Sequence, residues 1–591
     1  RPSSLRDVLL SRVDAVDESQ RRLLDVAAIG GRAVGHDLLA TVADQAGAGS
    51  DEAIRSLLAV GILDTAAEPE RDTYVFRHTL LREVVYDGIP VAERRRLHRA
   101  YAEALERREA LPSDAASHLI ELAHHWREAR DPRALAASVR AGDVATGFAF
   151  DIALREYEEA LSLWDVFTDD RPASIDHAEL LHRTARTAYL SSRYRRAVAA
   201  CREAIDELGE ADAARLSELR FLLGRVLMLS GEREAAVATY EGALASAPSE
   251  PPRVRIRAQA GVGQVYAVHG MFRRARALCE EAVEQARAAG VRDVEGHALN
   301  TLGLALAALG RTEDALEAID EALAIALELD LPDDIGRAYA NRTNIVAWAG
   351  YPDRATRLAT EAMASVVNRG IRDHETMLRY IIVGTAFEYG AWDVAAAQLT
   401  EADRTADPAE WSYLGRAESV LRYLVCRGAD EGRDAWERTH RMLAADPWVR
   451  GGSGDVYIAG VELEALAGRN QDAVDIAWEG FETLARFDGE LWIAEMARVA
   501  AWPVADLGIR ARAAGDDGGA TVAVDRMDHL ARLAREPRAW VSDPEDRLGE
   551  ILDLTLAQIE AERSRMLGAS DPDEWSRIAD RWTAIVRPYP A

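Results

Sequence analysis

Apolar residues recur at helical spacing through most of the chain, and single glycines interrupt this pattern at regular intervals. The interval is about 40 residues, with one double interval in which a degenerate unit surrounds Gly428. An alanine follows each marker glycine by five residues, from Ala236 in the first unit to Ala473 in the last. This regularity predicts a repeat architecture. The marker glycines are Gly231, Gly270, Gly310, Gly350, Gly390 and Gly468.

Small residues at fixed offsets have a physical cause. Two antiparallel helices approach closely only where the facing side chains are small, and the turn between them needs a residue that tolerates a positive φ. Larger apolar residues such as Leu223, Tyr240 and Ile319 fill the space beside each crossing. The pattern therefore predicts a mainly α protein in which residues 151–591 form an α-solenoid, a superhelix of helical hairpins that repeat about every 40 residues.

The first part of the chain does not follow this period. Thr73–Phe76 is rich in β-branched and aromatic residues and predicts a strand, which forms a hairpin with the segment after Gly61. Helix resumes from Leu80 and again over Val91–Arg107. Three or four helical segments precede the hairpin, near Leu5–Val16, Ser19–Ile29, His36–Ala46 and Asp51–Val60. The predicted division is a winged-helix domain at residues 1–110, connecting helices at 111–150 and the superhelix at 151–591.

The repeats resemble the tetratricopeptide repeat, which places small residues at the same offsets, an aromatic residue between two alanines and a proline at the close. The unit around Gly231 matches this pattern best. Because the period is longer than the usual ~34 residues, we expect each helical pair to be lengthened by a turn or more. The matching residues are Leu223, Gly224, Gly231, Ala236, Tyr240, Ala243 and Pro248.

A second resemblance lies before the repeats, in four segments that run in the order of a known family. It is to the winged helix that follows the nucleotide-binding domain of signal-transduction NTPases, in particular the LuxR-type large ATP-binding transcriptional regulators. The closing Trp575, Trp582 and Pro588–Pro590 resemble the late sensor helices of that family. The four segments are Leu5–Arg12, Leu24–Gly30, Phe76–Glu83 and Arg94–His98.

This resemblance implies parts that the chain does not contain. Members of the family carry an N-terminal NTPase, which binds ATP or ADP, and a C-terminal helix-turn-helix, which binds DNA. Because the sequence begins at Arg1 rather than at Met, we expect it to be a piece of a longer protein. No cofactor is expected in this chain itself.

Composition excludes several classes of function. The formal net charge is −29, so an anionic surface repels nucleic-acid backbones and DNA is not expected to be this chain's own ligand. The sequence has no lysine, which excludes a phosphate-loop NTPase site, and it lacks the motifs of hydrolases. We therefore expect no enzyme activity from this chain. Three cysteines and no apolar stretch long enough to span a bilayer predict a cytoplasmic protein without a membrane segment.

One group of histidine and acidic residues has the spacing of metal ligands on a helix. His118, Glu121 and His125 share one helical face, but no second cluster completes a site, and we expect an ordinary helix surface there. The family resemblance instead implies that His78, together with Arg77, senses the nucleotide bound by the NTPase. The alternative is that His78 only caps the next helix or packs against the hairpin.

The first helix of each repeat is expected, by resemblance, to line the inner surface of the superhelix. Counting back two, three, six or ten residues from the marker glycines samples that helix and finds polar side chains beside aromatic ones. Such a mixture suits a groove for a polar ligand or a peptide. These residues could equally pack between neighbouring repeats. They are Arg225, Gln264, Asn300, Asn344, Trp348, Tyr380, Phe387 and Glu388.

These observations lead to one main hypothesis and two alternatives. In the main hypothesis the superhelix binds a small-molecule inducer or a partner protein, and the winged helix relays this to the NTPase, with self-association on activation and DNA contact only through the helix-turn-helix. The first alternative is a protein-interaction scaffold without an inducer. The second is the sensor portion of a nucleotide cyclase or kinase.

Overall fold

The computed structural model describes residue 13 and residues 15–48, 51–66, 72–108, 115–147, 149–172, 174–405, 410–428, 430–445, 454–538 and 547–588. Within these ranges the chain forms 28 α-helices and one three-stranded sheet, and no helix combines the length and the apolar character needed to cross a membrane. The chain divides into two compact units, Arg1–Ala188 (unit 1) and Tyr189–Ala591 (unit 2). The three-part division at residues 110 and 150 stays a prediction.

Unit 1 combines helices with a small antiparallel sheet. Its strands are β1 (Ala33–Gly35), β2 (Leu63–Thr65) and β3 (Thr73–Phe76). Its helices are α1 (Glu18–Ile29), α2 (His36–Gln45), α3 (Asp51–Ala59), α4 (Thr79–Gly88), α5 (Val91–Arg107), α6 (Ala115–Ala129), α7 (Arg133–Ala145), α8 (Phe150–Trp164) and α9 (His177–Leu190), of which α9 ends in unit 2, and a short 3-10 helix spans Thr168–Asp170.

The sheet of unit 1 contains the predicted hairpin of β2 and β3, and β3 is its central strand. Strand β3 pairs with β2, as the sequence indicated, and the register places Leu63 opposite Phe76. It also pairs with β1, where Ala33 lies opposite Val75, and the sequence analysis missed this third strand. Its three residues are too few for a readable alternation of apolar and polar side chains. The N-terminal segment Leu5–Arg12 and residues 589–590 lie outside the described residues.

Unit 2 is a series of helical hairpins. Its helices are α10 (Tyr194–Leu208), α11 (Ala213–Leu229), α12 (Arg233–Ser246), α13 (Pro252–Val268), α14 (Phe272–Ala289), α15 (Arg292–Ala308), α16 (Thr312–Glu328), α17 (Pro332–Trp348), α18 (Pro352–Asn368), α19 (Arg372–Glu388), α20 (Trp392–Thr405), α21 (Glu410–Cys426), α22 (Asp430–Ala445), α23 (Gly454–Leu466), α24 (Asn470–Leu484), α25 (Glu490–Ala514), α26 (Asp517–Arg538), α27 (Arg547–Met566) and α28 (Pro572–Ala584).

The marker glycines occupy the turns between the two helices of each hairpin. Gly310 has φ 76° and Gly350 has φ 87°, a left-handed conformation that disfavours any residue with a Cβ. Helices α15 and α16, on either side of Gly310, have 17 residues each, which confirms the predicted lengthening of the helical pair. Gly428 also has a positive φ, at 71°, and marks the degenerate unit.

Small residues let the two helices of a hairpin approach each other closely. Gly224 of α11 lies against the ring of Tyr240 in α12, and Gly263 of α13 lies against the Cys279 sulfur in α14, so a Cβ at either glycine would overlap its neighbour. Tyr240 and Cys279 are consequently fully buried. Side-chain burial of this kind supplies the main stabilisation of the stack.

The last helices of unit 2 return to the turns of earlier hairpins. The backbone N–H of Asp488 donates to the Gly270 carbonyl over 2.9 Å. Leu548 of α27 lies against the Gly310 turn, and the Arg547 guanidinium lies 4.3 Å from the ring centre of Tyr351, next to the Gly350 turn. The superhelix is therefore held by contacts between its end and its middle, as well as by contacts between successive repeats.

Candidate functional site

The structure divides the eight predicted groove residues into three groups. Arg225, Gln264 and Asn300 belong to one interior polar cluster, called the Arg225 cluster below. Trp348 and Glu388 belong to a second, called the Asp455 cluster. Asn344, Tyr380 and Phe387 belong to neither. The Arg225 cluster comprises Tyr189, Arg225, Gln264, His297, Asn300, Thr301, Asp333, Asp334 and Arg337. The Asp455 cluster comprises Trp348, Glu388, Arg422, Asp455, Glu462, Trp492, Glu495 and Arg498.

An ion pair between distant repeats forms the centre of the Arg225 cluster. Arg225 Nη2 of α11 donates to both carboxylate oxygens of Asp333, at 3.0 and 3.2 Å, although α17 begins three repeats later. The Tyr189 hydroxyl donates to Asp333 Oδ1 over 2.5 Å and accepts from Arg225 Nε over 3.0 Å. These three side chains tie α9, α11 and α17 together.

A second set of contacts extends the cluster along the inner helices. Arg337 Nη1 lies 3.0 Å from Asp334 Oδ1 and 2.8 Å from His297 Nδ1, and Arg337 Nη2 donates to the Thr301 hydroxyl over 3.2 Å. With its amide oxygen turned toward the arginines, Gln264 accepts from Nε and Nη2 of Arg337 at 3.3 Å each and also from Arg225 Nη1. Gln264 therefore connects the two arginines.

The pKa values of the acids follow from this arrangement. Burial alone would raise the pKa of Asp333, but the nearby positive charge, above all that of Arg225, outweighs it and holds the pKa well below its ordinary value. Burial raises the pKa of Tyr189 well above its ordinary value. Burial also lowers the pKa of His297, and the Arg337 charge lowers it further, so the imidazole is neutral at pH 7. The cluster thus contains two guanidinium and two carboxylate charges.

One buried hydroxyl beside this cluster has no hydrogen-bond partner among the described residues. Tyr240 of α12 is fully buried, and its hydroxyl oxygen is unpaired. The charges that act on this hydroxyl belong, in order, to Arg225, Arg337, Asp333 and Arg257, and the first three are members of the cluster. Burial raises the pKa of Tyr240 to about 12, so the group is a neutral donor. A buried hydroxyl without a partner costs about 1–3 kcal/mol.

The Asp455 cluster joins later repeats in a different way. Arg422 of α21 donates to Glu462 of α23, at distances down to 2.7 Å, and to Glu495 of α25 over 3.2 Å. Arg498 also pairs with Glu495, over 2.7 Å. The Trp492 indole N–H donates to Asp455 Oδ2 over 3.4 Å.

Charge in the Asp455 cluster is less well compensated around Asp455 itself. Burial raises the pKa of Asp455 to about 6, against the opposing charge of Arg422 and with a further upward contribution from Glu388. Glu495 behaves oppositely, because the charges of Arg498 and Arg422 outweigh its burial and hold its pKa far below the ordinary value. The ring of Trp348 meets that of Trp492 edge-on, with centres 5.3 Å apart.

The other groove candidates have other surroundings. The Tyr380 hydroxyl lies 3.4 Å from Asp403, so this side chain packs between α19 and α20. Phe387 is 1% exposed and meets the rings of Trp392 and Tyr423 in the apolar core. Asn344 is partly exposed on α17, between the positions of Arg337 and Trp348.

The positions that the sequence analysis missed lie on the same helical face. Arg225 and Gln264 each precede their marker glycine by six residues. One heptad earlier on the corresponding helices are His297, Arg337 and Asp455, and four residues before Arg337 is Asp333. Residues seven and eleven apart share a helix face, so extending the offsets toward the start of each first helix would have found them.

His78 and Arg77 follow strand β3, as predicted. His78 is exposed at the position before α4, and its side chain makes no capping hydrogen bond there. Arg77 is also exposed and pairs in a bidentate manner with Asp64 of β2, at 2.9 and 3.1 Å. The guanidinium thus fastens the hairpin, and its charge is already matched.

The expectation for His125 was wrong. His125 of α6 is 1% exposed rather than part of a surface, and its Nδ1 lies 2.9 Å from Nδ1 of His98, which is equally buried. Burial lowers the pKa of His98 to about 3, with His125 contributing further, so the ring is neutral. Within the described residues no group of three or more histidine, cysteine or acidic side chains is arranged to hold a metal ion.

An open groove lies away from both clusters. It has a volume of about 700 Å³ and runs between α12, α13 and α14. Its lining combines apolar and charged side chains. They are Glu241, Leu244, Ala245, Arg255, Val262, Tyr266, Arg274, Ala277 and Leu278.

Comparisons with known proteins give low similarity throughout. No family model matches the chain, and no curated protein matches it. A signal transduction ATPase with numerous domains and a tetratricopeptide repeat sensor, from Pyrococcus horikoshii, is 12% identical, with 82% of this chain and 66% of that chain covered and a TM-score of 0.37. A Rap protein complexed with competence and sporulation factor is 14% identical, with coverages of 60% and 99% and a TM-score of 0.42.

A further solved structure is similar at the same level. Aspartyl phosphate phosphatase F from Bacillus subtilis is 11% identical, with 66% of this chain and 95% of that chain covered and a TM-score of 0.38. The repeat architecture of unit 2 rests on its own helices and turns, described above.

Proposed function

We propose that this chain is the signal-sensing part of an ATP-dependent transcriptional regulator of the LuxR type, in which the interior of the superhelix binds a small inducer. The observation that carries the proposal is the Arg225 cluster, whose side chains come from α9, α11, α13, α15 and α17. No single repeat contains this site. A ligand bound there contacts segments up to 144 residues apart in the chain, so its binding responds to how the repeats are placed.

Regulation on this scheme is a shift between two states. The inducer must interact differently with the two states, because a ligand that binds both equally shifts nothing. Turning a 1:99 population into 99:1 requires about 5.5 kcal/mol of discrimination. A site made of charged groups from several repeats can supply such a difference, since each contact is lost when one repeat moves.

The remaining roles follow the family resemblance. A winged helix in unit 1 would relay the state of the superhelix to an NTPase that holds ATP or ADP, and DNA would be bound by a helix-turn-helix, both outside this chain. Activation would involve self-association. We propose that this chain itself performs no catalysis and takes no cofactor.

The inducer-binding role is tested by thermal unfolding of the chain with a panel of sugars, nucleotides and organic acids. We expect at least one compound to raise Tm by several degrees, since a ligand at 100 times its Kd contributes about 2.7 kcal/mol. Gln264→Leu removes the acceptor that joins the two arginines and should abolish this rise. Tyr380→Phe, in the pair with Asp403, is the control and should keep it. A panel without any stabilising compound contradicts the proposal.

His78 offers a separate test in the full-length regulator. The exposed imidazole before α4 is proposed to face the nucleotide of the NTPase, so His78→Ala should weaken ADP retention and raise basal transcription. Arg77→Gln serves as the comparison, because Arg77 is already paired with Asp64. Unchanged ADP retention in His78→Ala would contradict the proposed contact between His78 and the nucleotide.

A protein-interaction role is the second candidate, and the groove between α12, α13 and α14 favours it. Leu244, Val262 and Leu278 give it an apolar floor, and Arg255, Arg274 and Glu241 give it a charged rim. Leu278→Glu should weaken binding of a partner protein to this groove and leave the response to small compounds intact. The cyclase or kinase alternative has no such observation in its favour.

A further inference from the structure

Asp333 is held in the way that a protein holds a bound carboxylate. Its two oxygens receive hydrogen bonds from Arg225 and Tyr189, which lie on α11 and α9, far from Asp333 in the chain. A guanidinium that donates to both oxygens and a hydroxyl that donates to one form a typical carboxylate site.

The equivalent acid one repeat earlier behaves differently. Asp293 stands at the same place in its repeat, 40 residues before Asp333, and pairs with Arg253 at 2.6 Å and Arg257 at 3.3 Å, both in the adjacent repeat. Its partners are 41% and 33% exposed. The ordinary ion pair at this position therefore joins neighbouring repeats near solvent, whereas Asp333 reaches into a site built by other parts of the superhelix.

That site has a donor that Asp333 does not use. The Tyr240 hydroxyl is fully buried, lies beside Arg225 and has no hydrogen-bond partner among the described residues. Because an unpaired buried hydroxyl is costly, its presence points to an acceptor that joins the site at some stage. A ligand bearing a carboxylate can supply one.

The accessible side of the cluster is Asp333 itself. Its side chain is 24% exposed, against 8% for Arg225. An incoming anion thus meets Asp333 first and can take its place at Arg225. Once Asp333 has moved away, Arg225 is the guanidinium left to be neutralised, because Arg337 stays paired with Asp334. A carboxylate with a single negative charge neutralises it. A doubly charged phosphate would bring an uncompensated charge into a buried site.

We propose that the Arg225 cluster recognises the carboxylate of a small organic acid, and that Asp333 occupies this position when the acid is absent. The inference deepens the proposed function and rests on it for the regulatory consequence. The carboxylate site itself does not depend on the rest of the regulator. Displacement of Asp333 breaks the contact between α17 and the α9–α11 pair, so binding and the arrangement of the repeats are coupled.

Removing the internal carboxylate tests the site with formate as the probe. Asp333→Ala leaves Arg225 without its partner and opens space for one carboxylate group. The variant is titrated with sodium formate from about 1 to about 100 mM, and sodium chloride at equal ionic strength is the reference. Formate should raise the Tm of this variant by about 3 °C or more, and the rise should saturate. Wild-type protein should show a much smaller difference, because formate must first displace Asp333 from Arg225.

Two further variants make the outcome decisive. Asp333→Asn keeps the shape of the side chain and should show no formate effect, and Asp293→Ala should show none because its arginines are hydrated. If Asp333→Ala is recovered as folded protein only from buffers with formate, that also supports the site. Equal behaviour in formate and chloride, for Tm or for recovery of folded protein, overturns it. Formate rescue without any response to the compound panel would retain the site and reject the sensor role.

Discussion

The two interior clusters of unit 2 differ in how their buried carboxylates are compensated by positive charge. In the Arg225 cluster each carboxylate has an arginine in direct contact, and the pKa of Asp333 is held below its ordinary value. In the Asp455 cluster the arginines contact Glu462 and Glu495, while Asp455 accepts, among the described residues, only the indole N–H of Trp492, and burial raises its pKa to about 6. A direct guanidinium contact, rather than the number of arginines nearby, decides whether a buried acid stabilises the fold at pH 7.

The difference has a structural origin. Arg225 and Asp333 lie three repeats apart in the chain, so their ion pair links distant hairpins of the early superhelix. Asp455 lies close to Trp492, at the start of α25, where the ring of Trp492 also meets Phe272 of α14 and Trp348 of α17. We expect the first cluster to resist changes of winding and the second to respond to pH.

The largest expected effect comes from breaking the first cluster. Arg225→Ala leaves Asp333 largely buried without its cation, which typically costs about 3–5 kcal/mol. Urea unfolding of the chain at pH 7 measures this loss. The loss should shrink toward pH 3, because the pKa of Asp333 rises once Arg225 is gone and the acid then becomes neutral.

The matched control is the ion pair of the neighbouring repeats. Arg253→Ala removes a 41% exposed partner of Asp293 and should cost at most about 1 kcal/mol. Equal losses for Arg225→Ala and Arg253→Ala would mean that reach across the superhelix adds nothing to the strength of the pair.

A smaller effect of opposite sign is expected in the second cluster. The folded-state pKa of Asp455 is about 6 against 3.8 unfolded, so this group stabilises the fold fully below about pH 3.8, and that contribution is lost as the pH rises through 6. Asp455→Asn should therefore raise the free energy of unfolding at pH 8 by about 3 kcal/mol and leave it nearly unchanged at pH 4. A variant that is less stable than wild type at pH 8 would show that the carboxylate is needed there.

Part of the candidate site could be predicted from the sequence, and the reason is periodicity. Arg225 and Gln264 hold the same offset from their marker glycines, so the repeat pattern placed both on the first helix of a hairpin, and the resemblance to the tetratricopeptide repeat implied that this helix faces inward. The same offsets included Tyr380 and Phe387, which the structure places between helices and in the core. Offsets describe one helix and do not say which of its sides meets a partner several repeats away.

The partners across the superhelix could not be predicted. Asp333 and Asp293 precede the marker glycines of their repeats by the same number of residues. Asp333 nevertheless contacts Arg225, whereas Asp293 contacts Arg253. The pairing of Arg225 with Asp333 depends on the pitch of the superhelix, which sums small rotations over three repeats. No short sequence motif encodes this accumulated rotation between repeats.

By itself the sequence determined the helical hairpins, their turns and the hairpin of β2 and β3, because these follow from local spacing, from small residues at close contacts and from glycines at positive φ. Only the tertiary structure decided which charged groups meet. That choice depends on how Tyr189, α11 and α17 approach one another in the interior of unit 2, and on how the segment after Leu484 returns to the turn at Gly270. Contacts between residues more than a hundred positions apart are set by the accumulated geometry of the repeats, not by any one of them.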